Sequence, residues 1–152
     1  MGLFDFFSGN ALEDKNQSYL KNLIAVAMAD GELDDKEAQA LMQVATRLGI
    51  SEWEVRDIIA QHKTIQFVLP KDPKDRVRQL WDLLLIVLVD GRVEERELAI
   101  LERFALKLRL RGAVATALVR KLQEWTATDT PIETFKTDFL GFFAGGNAFS
   151  EE

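Results

Sequence analysis

The chain has 152 residues, a net charge of −6, no cysteine and one histidine, His62. A domain of this length buries roughly 68–70% of its unfolded surface and needs no disulfide or cofactor to fold. The absence of cysteine excludes thiolate chemistry and zinc ribbons, a lone histidine leaves little for a catalytic triad, and the acidic balance argues against a nucleic-acid binder.

From the N-terminus, Met1-Gly2-Leu3-Phe4-Asp5-Phe6 lacks the basic stretch of a signal peptide, and Phe6 stands where a myristoylation motif needs Ser or Thr. A cytoplasmic location is expected. Helix starts are marked by a capping residue three before a carboxylate: Asn10 with Glu13, Asp34 with Glu37, Ser51 with Glu54, and Thr130 with Glu133. Asp72-Pro73 adds a cap followed by proline at the first helical position. Between these signals apolar residues recur at helical spacing, as in Leu20, Leu23, Ile24, Ala27 and in Val77, Leu80, Trp81, Leu84. Ala38, Leu41, Met42, Ala45, Leu48 and Val114, Leu118, Leu122, Trp125 continue the pattern. About seven helices are predicted, near 11–29, 35–48, 52–62, 73–89, 95–109, 113–125 and 131–143, so the fold class is all-α. The apolar runs Leu23 to Ala29 and Leu83 to Val89 are too short to span a bilayer. The second, apolar all round, should be central in a helical bundle.

Residues 30–37, Asp-Gly-Glu-Leu-Asp-Asp-Lys-Glu, recur as Asp-Gly-Arg-Val-Glu-Glu-Arg-Glu at 90–97, an offset of 60. The register extends outward through Leu23 and Leu83, Leu41 and Leu101, Ala45 and Ala105, and Leu48 and Leu108. A single bundle is therefore expected over 1–152, built from two pseudo-twofold-related three-helix repeats. Repeat one runs about 11–63, a linker 64–71, repeat two about 73–125, and a Phe-rich helix and tail 126–152. An EF-hand is rejected, because Val26 and Met28, or Ile86 and Leu88, would occupy its first ligand positions. Each Asp-Gly turn reads first as helix punctuation: a glycine ends one helix, and Asp34 or Glu94 begins the next. Asp30 and Asp90 remain over, each at the negative end of a helix, where a cation or the next helix's amides should compensate it.

Ala29 to Glu37, its echo at Val89 to Glu97, and Pro70-Lys71-Asp72-Pro73 before an Arg-containing helix together resemble the TerB-like family of tellurite-resistance and DjlA-type co-chaperone domains. The resemblance covers about residues 12–125. It implies an all-α domain with a divalent-cation site built from Asp30, Glu37, Asp90 and Glu97. Arg92 replaces Glu32 in the second copy, which weakens cation binding there. Hard oxygen ligands would select Ca²⁺, Mg²⁺ or Mn²⁺.

Other features are plainer. Arg103, Lys107, Arg109, Arg111, Arg120 and Lys121 make a basic stretch that reads first as a solvated helix face, with an anionic partner as the sharper alternative. Gly145-Gly146-Asn147 lacks a phosphate-loop Lys and reads as a flexible tail. His62 suits a helix end, and Trp53, Trp81 and Trp125 suit core or rim packing. Of ten phenylalanines, Phe4, Phe6 and Phe7 open the chain, and Phe135, Phe139, Phe142, Phe143 and Phe149 lie near its end. They should dock on the bundle, or face a protein partner or a second copy, with membrane contact at most peripheral. Two functions follow: a non-enzymatic module that takes up a divalent cation in metal, tellurite or envelope stress, or an interaction scaffold whose acidic turns are only caps. No nucleophile, tuned acid–base pair or cofactor motif favours an enzyme.

Overall fold

A computed structural model describes residues 3–29, 33–88 and 94–150, with side chains from residue 13 onward in the first helix. The described residues form seven α-helices: α1 (Leu3–Ala27), α2 (Asp35–Arg47), α3 (Glu52–Ala60), α4 (Pro73–Leu88), α5 (Glu95–Lys107), α6 (Gly112–Ala127) and α7 (Ile132–Gly141). A 3₁₀ turn, His62–Thr64, follows α3, and the described residues contain no strand, only an isolated antiparallel bridge between Leu110 and Phe149. The fold is all-helical. It divides into two compact units, the boundary falling between Val68 and Leu69.

In the first unit α1 packs against α2, α3 and the 3₁₀ turn, and α2 against α3. The predicted apolar stripes supply the core: Leu20, Leu23 and Ile24 from α1, Leu41, Val44 and Ala45 from α2, and Val55 and Ile58 from α3 are all buried. Buried among them is one amide, Asn22. Its Nδ2 donates to the Val68 carbonyl at 2.8 Å, and its Oδ1 accepts from the Val68 N–H at 3.1 Å. One side chain thus satisfies both polar groups of an extended residue, as a neighbouring strand would, and ties the segment after the 3₁₀ turn to α1.

In the second unit α4 packs on α5 and α5 on α6. Leu80, Leu83, Leu84 and Ile86 from α4 are buried with Leu98, Leu101, Phe104 and Ala105 from α5 and Ala115, Leu118, Leu122 and Trp125 from α6. The all-round apolar run is less enclosed than expected, since Leu85 is exposed. α7 covers this core with aromatic rings. Phe135 lies against Trp81 and Trp125, and Phe139 lies 5.1 Å from both Trp81 and Phe143 between ring centres.

The helix starts follow the predicted chemistry at most sites. Asp34 Oδ1 accepts from Glu37 N at 2.8 Å, Ser51 Oγ from Glu54 N at 3.2 Å, and Asp72 Oδ1 from Lys74 N at 2.9 Å. Two signals mislead. α1 begins at Leu3, so Asn10 and Glu13 lie inside it; and α7 is preceded by Pro131, with the Thr130 hydroxyl 2.8 Å from that of Thr128 instead of on α7's amides.

The same local geometry recurs 60 residues apart. α2 and α5 each have 13 residues, and they are capped by Leu48 and Leu108 with matching hydrogen bonds. Gly49 (φ 74) and Arg109 (φ 73) follow in the left-handed conformation. Ile50 N then donates to Ala45 O at 2.9 Å and Leu110 N to Ala105 O at 3.0 Å, which satisfies a helix-end carbonyl in each case. Burial recurs as well, including the polar pair Asn22 and Asp82.

The Gly145-Gly146-Asn147 stretch is a turn, not the flexible tail its composition suggests. With Gly146 at φ 74 the chain reverses, Arg111 N donates to Ala148 O at 2.8 Å, and Ser150 N donates to Arg109 O at 2.8 Å. Phe149 stacks on Phe143 at 5.7 Å. The C-terminal phenylalanines therefore dock on their own unit, one of the outcomes the sequence allowed.

Candidate functional site

Glu37 and Glu97 occupy the first turns of α2 and α5, where carboxylates oppose the positive end of the helix dipole. Glu97 Oε1 accepts from the Glu94 N–H at 3.0 Å, closing back on its own helix start. Glu37 offers its backbone N–H to Asp34. Asp30 and Asp90 lie outside the described residues. Glu37 belongs to the first unit and Glu97 to the second, and no group of three or more His, Asp or Glu side chains among the described residues is placed to hold a metal ion. What the geometry accounts for here is helix initiation.

A second feature was not read from the sequence. Trp53, expected in the core or at its rim, is 74% exposed on the first turn of α3. The helical period explains it: Trp53 precedes buried Val55 by two residues, about 200° around a helix of 3.6 residues per turn, and so faces away from the stripe that Val55 and Ile58 share. That offset was the available signal. Trp53 borders a groove of about 530 Å³ between α1, α3 and the segment that Asn22 holds at Val68. The groove is mostly polar, with Glu54 and Asp57 on the α3 side and Lys21 on the α1 side. Asp57 Oδ1 accepts from Gln61 Nε2 at 3.2 Å, which holds its carboxylate along the helix. His62 closes the end of α3, its Nδ1 lying 2.9 Å from the Ile59 carbonyl, so it serves the helix end as expected. An exposed indole beside two carboxylates can accept an apolar side chain and a neighbouring cation.

Among the described residues no helix is long and apolar enough to cross a membrane. No curated protein and no solved structure matches the chain. The family model for the tellurite resistance protein TerB matches residues 6–60, which takes in α2, α3, Trp53 and the first copy of the acidic octet and ends before the second. Over residues 6–60, the greater part of its first unit, this chain is TerB-like.

Proposed function

We propose that this protein is a non-enzymatic TerB-like interaction module, and that the groove beside Trp53 is where it takes a partner polypeptide. The observation that carries the reading is the 74% exposure of Trp53 next to a formed groove within the TerB-like segment. A large aromatic side chain left in water raises the free energy of the isolated protein, and a partner that covers it recovers roughly 1.5–3 kcal/mol. Glu54 and Asp57 select for Lys or Arg next to the apolar anchor. Peptide display against the full chain tests this. Enriched peptides should pair an apolar residue with a basic one and be lost with Trp53→Ala, while the melting temperature of that variant stays within about 2 °C of wild type because the side chain is exposed. Equal enrichment on Trp53→Ala, or peptides of no common chemistry, overturns the assignment.

A second reading keeps a divalent cation at Asp30, Glu37, Asp90 and Glu97, favoured by the TerB match over Asp30 and Glu37. Binding confined to the folded state would stabilise it by about 2.7 kcal/mol at a hundredfold excess over Kd. The melting temperature should then rise with Ca²⁺, Mg²⁺ or Mn²⁺ in wild type and not in Asp30→Asn/Asp90→Asn, against a monovalent salt of equal ionic strength. An equal response in both proteins leaves these residues as caps and turn formers.

A further inference from the structure

We propose that the second unit carries a binding site for a small organic anion, a phosphate group borne on a flat aromatic body, in the pocket between the first turn of α4, the α5–α6 turn and the returning C-terminal tail. This site is independent of the Trp53 groove and lies outside the TerB match.

The pocket has a volume of about 500 Å³, within the range of small-molecule sites. Among the described residues three cations line it, Lys74, Arg76 and Arg111, and no Asp or Glu does, in a chain whose net charge is −6. Asp72 caps the amide of Lys74, and neither it nor Asp75 is part of the lining. The two guanidinium groups are held in the same way. Arg76 Nε donates to Pro70 O at 2.6 Å, and Arg111 Nε donates to Asn147 O at 2.7 Å. A guanidinium has five N–H donors in a fixed plane, so anchoring the Nε fixes that plane and leaves four donors on each arginine. Neither arginine makes an ion pair with a described carboxylate. Two oriented, unpaired guanidiniums are the donor set that recognises an oxyanion bidentately, with little ordering left to do on binding.

The aromatic part of the ligand follows from the same lining. Phe149 stacks on Phe143 with 23° between ring planes, and the Arg76 guanidinium carbon lies 5.6 Å from the centre of the Phe149 ring. Both phenylalanines are half-buried and face the pocket, which offers a planar apolar wall next to the cations. The tail builds this wall. Its hydrogen bonds to Arg109 and Arg111 explain why a terminal segment is folded back at all. Arg111 is exposed, as a solvated basic face requires, and in addition anchors the tail through its Nε.

Isothermal titration of the full chain with phenyl phosphate, inorganic phosphate and phenol tests the proposal at constant ionic strength. Phenyl phosphate should bind at least about tenfold more tightly than either fragment, since each half of the site contributes its own share. Lys74 makes no side-chain hydrogen bond or ion pair with the described residues, so Lys74→Glu probes the charge without touching the tail. It should weaken phenyl phosphate by about tenfold or more, and Lys74→Arg should restore binding to within about threefold of wild type. Arg111→Lys removes the fork geometry and should cost a comparable factor, with the Ser150 amide's exchange protection reporting whether the tail has stayed down. Equal affinity of wild type and Lys74→Glu, no preference for phenyl phosphate over inorganic phosphate, or no heat at millimolar ligand overturns the proposal.

Discussion

The turn between α2 and α3 and the turn between α5 and α6 share a backbone and differ in what the side chains do with it. In the first, Gly49 takes the left-handed position at φ 74 and Ser51 caps α3 with its own hydroxyl. In the second, Arg109 takes that position at φ 73, and the residue before α6 is Arg111, whose side chain makes no cap hydrogen bond. Two further backbone groups of this turn are met by the C-terminal tail, through Arg111 N to Ala148 O and Ser150 N to Arg109 O. The first turn takes a side-chain bond from α1, Asn16 Nδ2 to Leu48 O at 3.1 Å, and the second takes backbone bonds from a segment nearly 40 residues later. The pocket at the second turn is therefore walled by returning backbone, whereas the groove beside Trp53 at the first is bordered by α1 and α3.

The sharpest way to break this comparison is to remove the helix that brings the tail back. Phe139 is fully buried, and its ring touches Trp81 and Phe143. Phe139→Ala should destabilise the second unit by about 3–5 kcal/mol, the range for deleting a buried phenyl ring. Urea unfolding in a Trp53→Phe background would read it, because Trp81 and Trp125, the two tryptophans left, both sit against α7. A loss below about 1 kcal/mol would mean that α7 rests on the unit without holding it, and the contrast between the turns would be one of sequence only.

How far these features were legible in the sequence depends on whether residue type or long-range meeting decides them. The core was legible because burial at 3.6-residue spacing selects apolar types, and Leu41, Leu101, Leu118 and Leu122 are buried as their spacing requires. The helix starts at Asp34, Ser51 and Asp72 were legible because few side chains accept from a helix's first amides. Arg109 was not: arginine has no preference for the left-handed region, and only Gly49, in register 60 residues earlier, marks the position. The tail was misread because glycine and asparagine signal a turn without saying what the chain returns to. In the candidate sites the residue types were visible, but the pairing of Arg76 and Arg111 across the returning tail is a tertiary fact that no local pattern encodes. Trp53 needed only the helical wheel, and its large apolar surface drew the reading toward the core.

The smallest expected effect is also the most direct measure of whether the two turns are equivalent. A β-carbon in the left-handed region costs roughly 1–2 kcal/mol, and glycine gives back about 0.5–1 of that through the greater freedom of its unfolded chain. No atom lies within 4 Å of where a Cβ on Gly49 would sit, so Gly49→Ala reports backbone conformation alone. It should destabilise by about 1 kcal/mol. Arg109→Gly should stabilise by about 0.5–1 kcal/mol, because the exposed Arg109 side chain has no hydrogen bond or ion pair to lose among the described residues. Equal and opposite shifts in chemical denaturation would make the turns the same device with different residues. If Arg109→Gly instead destabilises, the bond from Ser150 N to Arg109 O depends on the stiffness that arginine gives the backbone. Repeating the pair of measurements after truncation at Phe143 separates these cases: an arginine kept for the tail's sake should lose its advantage once the tail is gone, and the gain from Arg109→Gly should appear there in full.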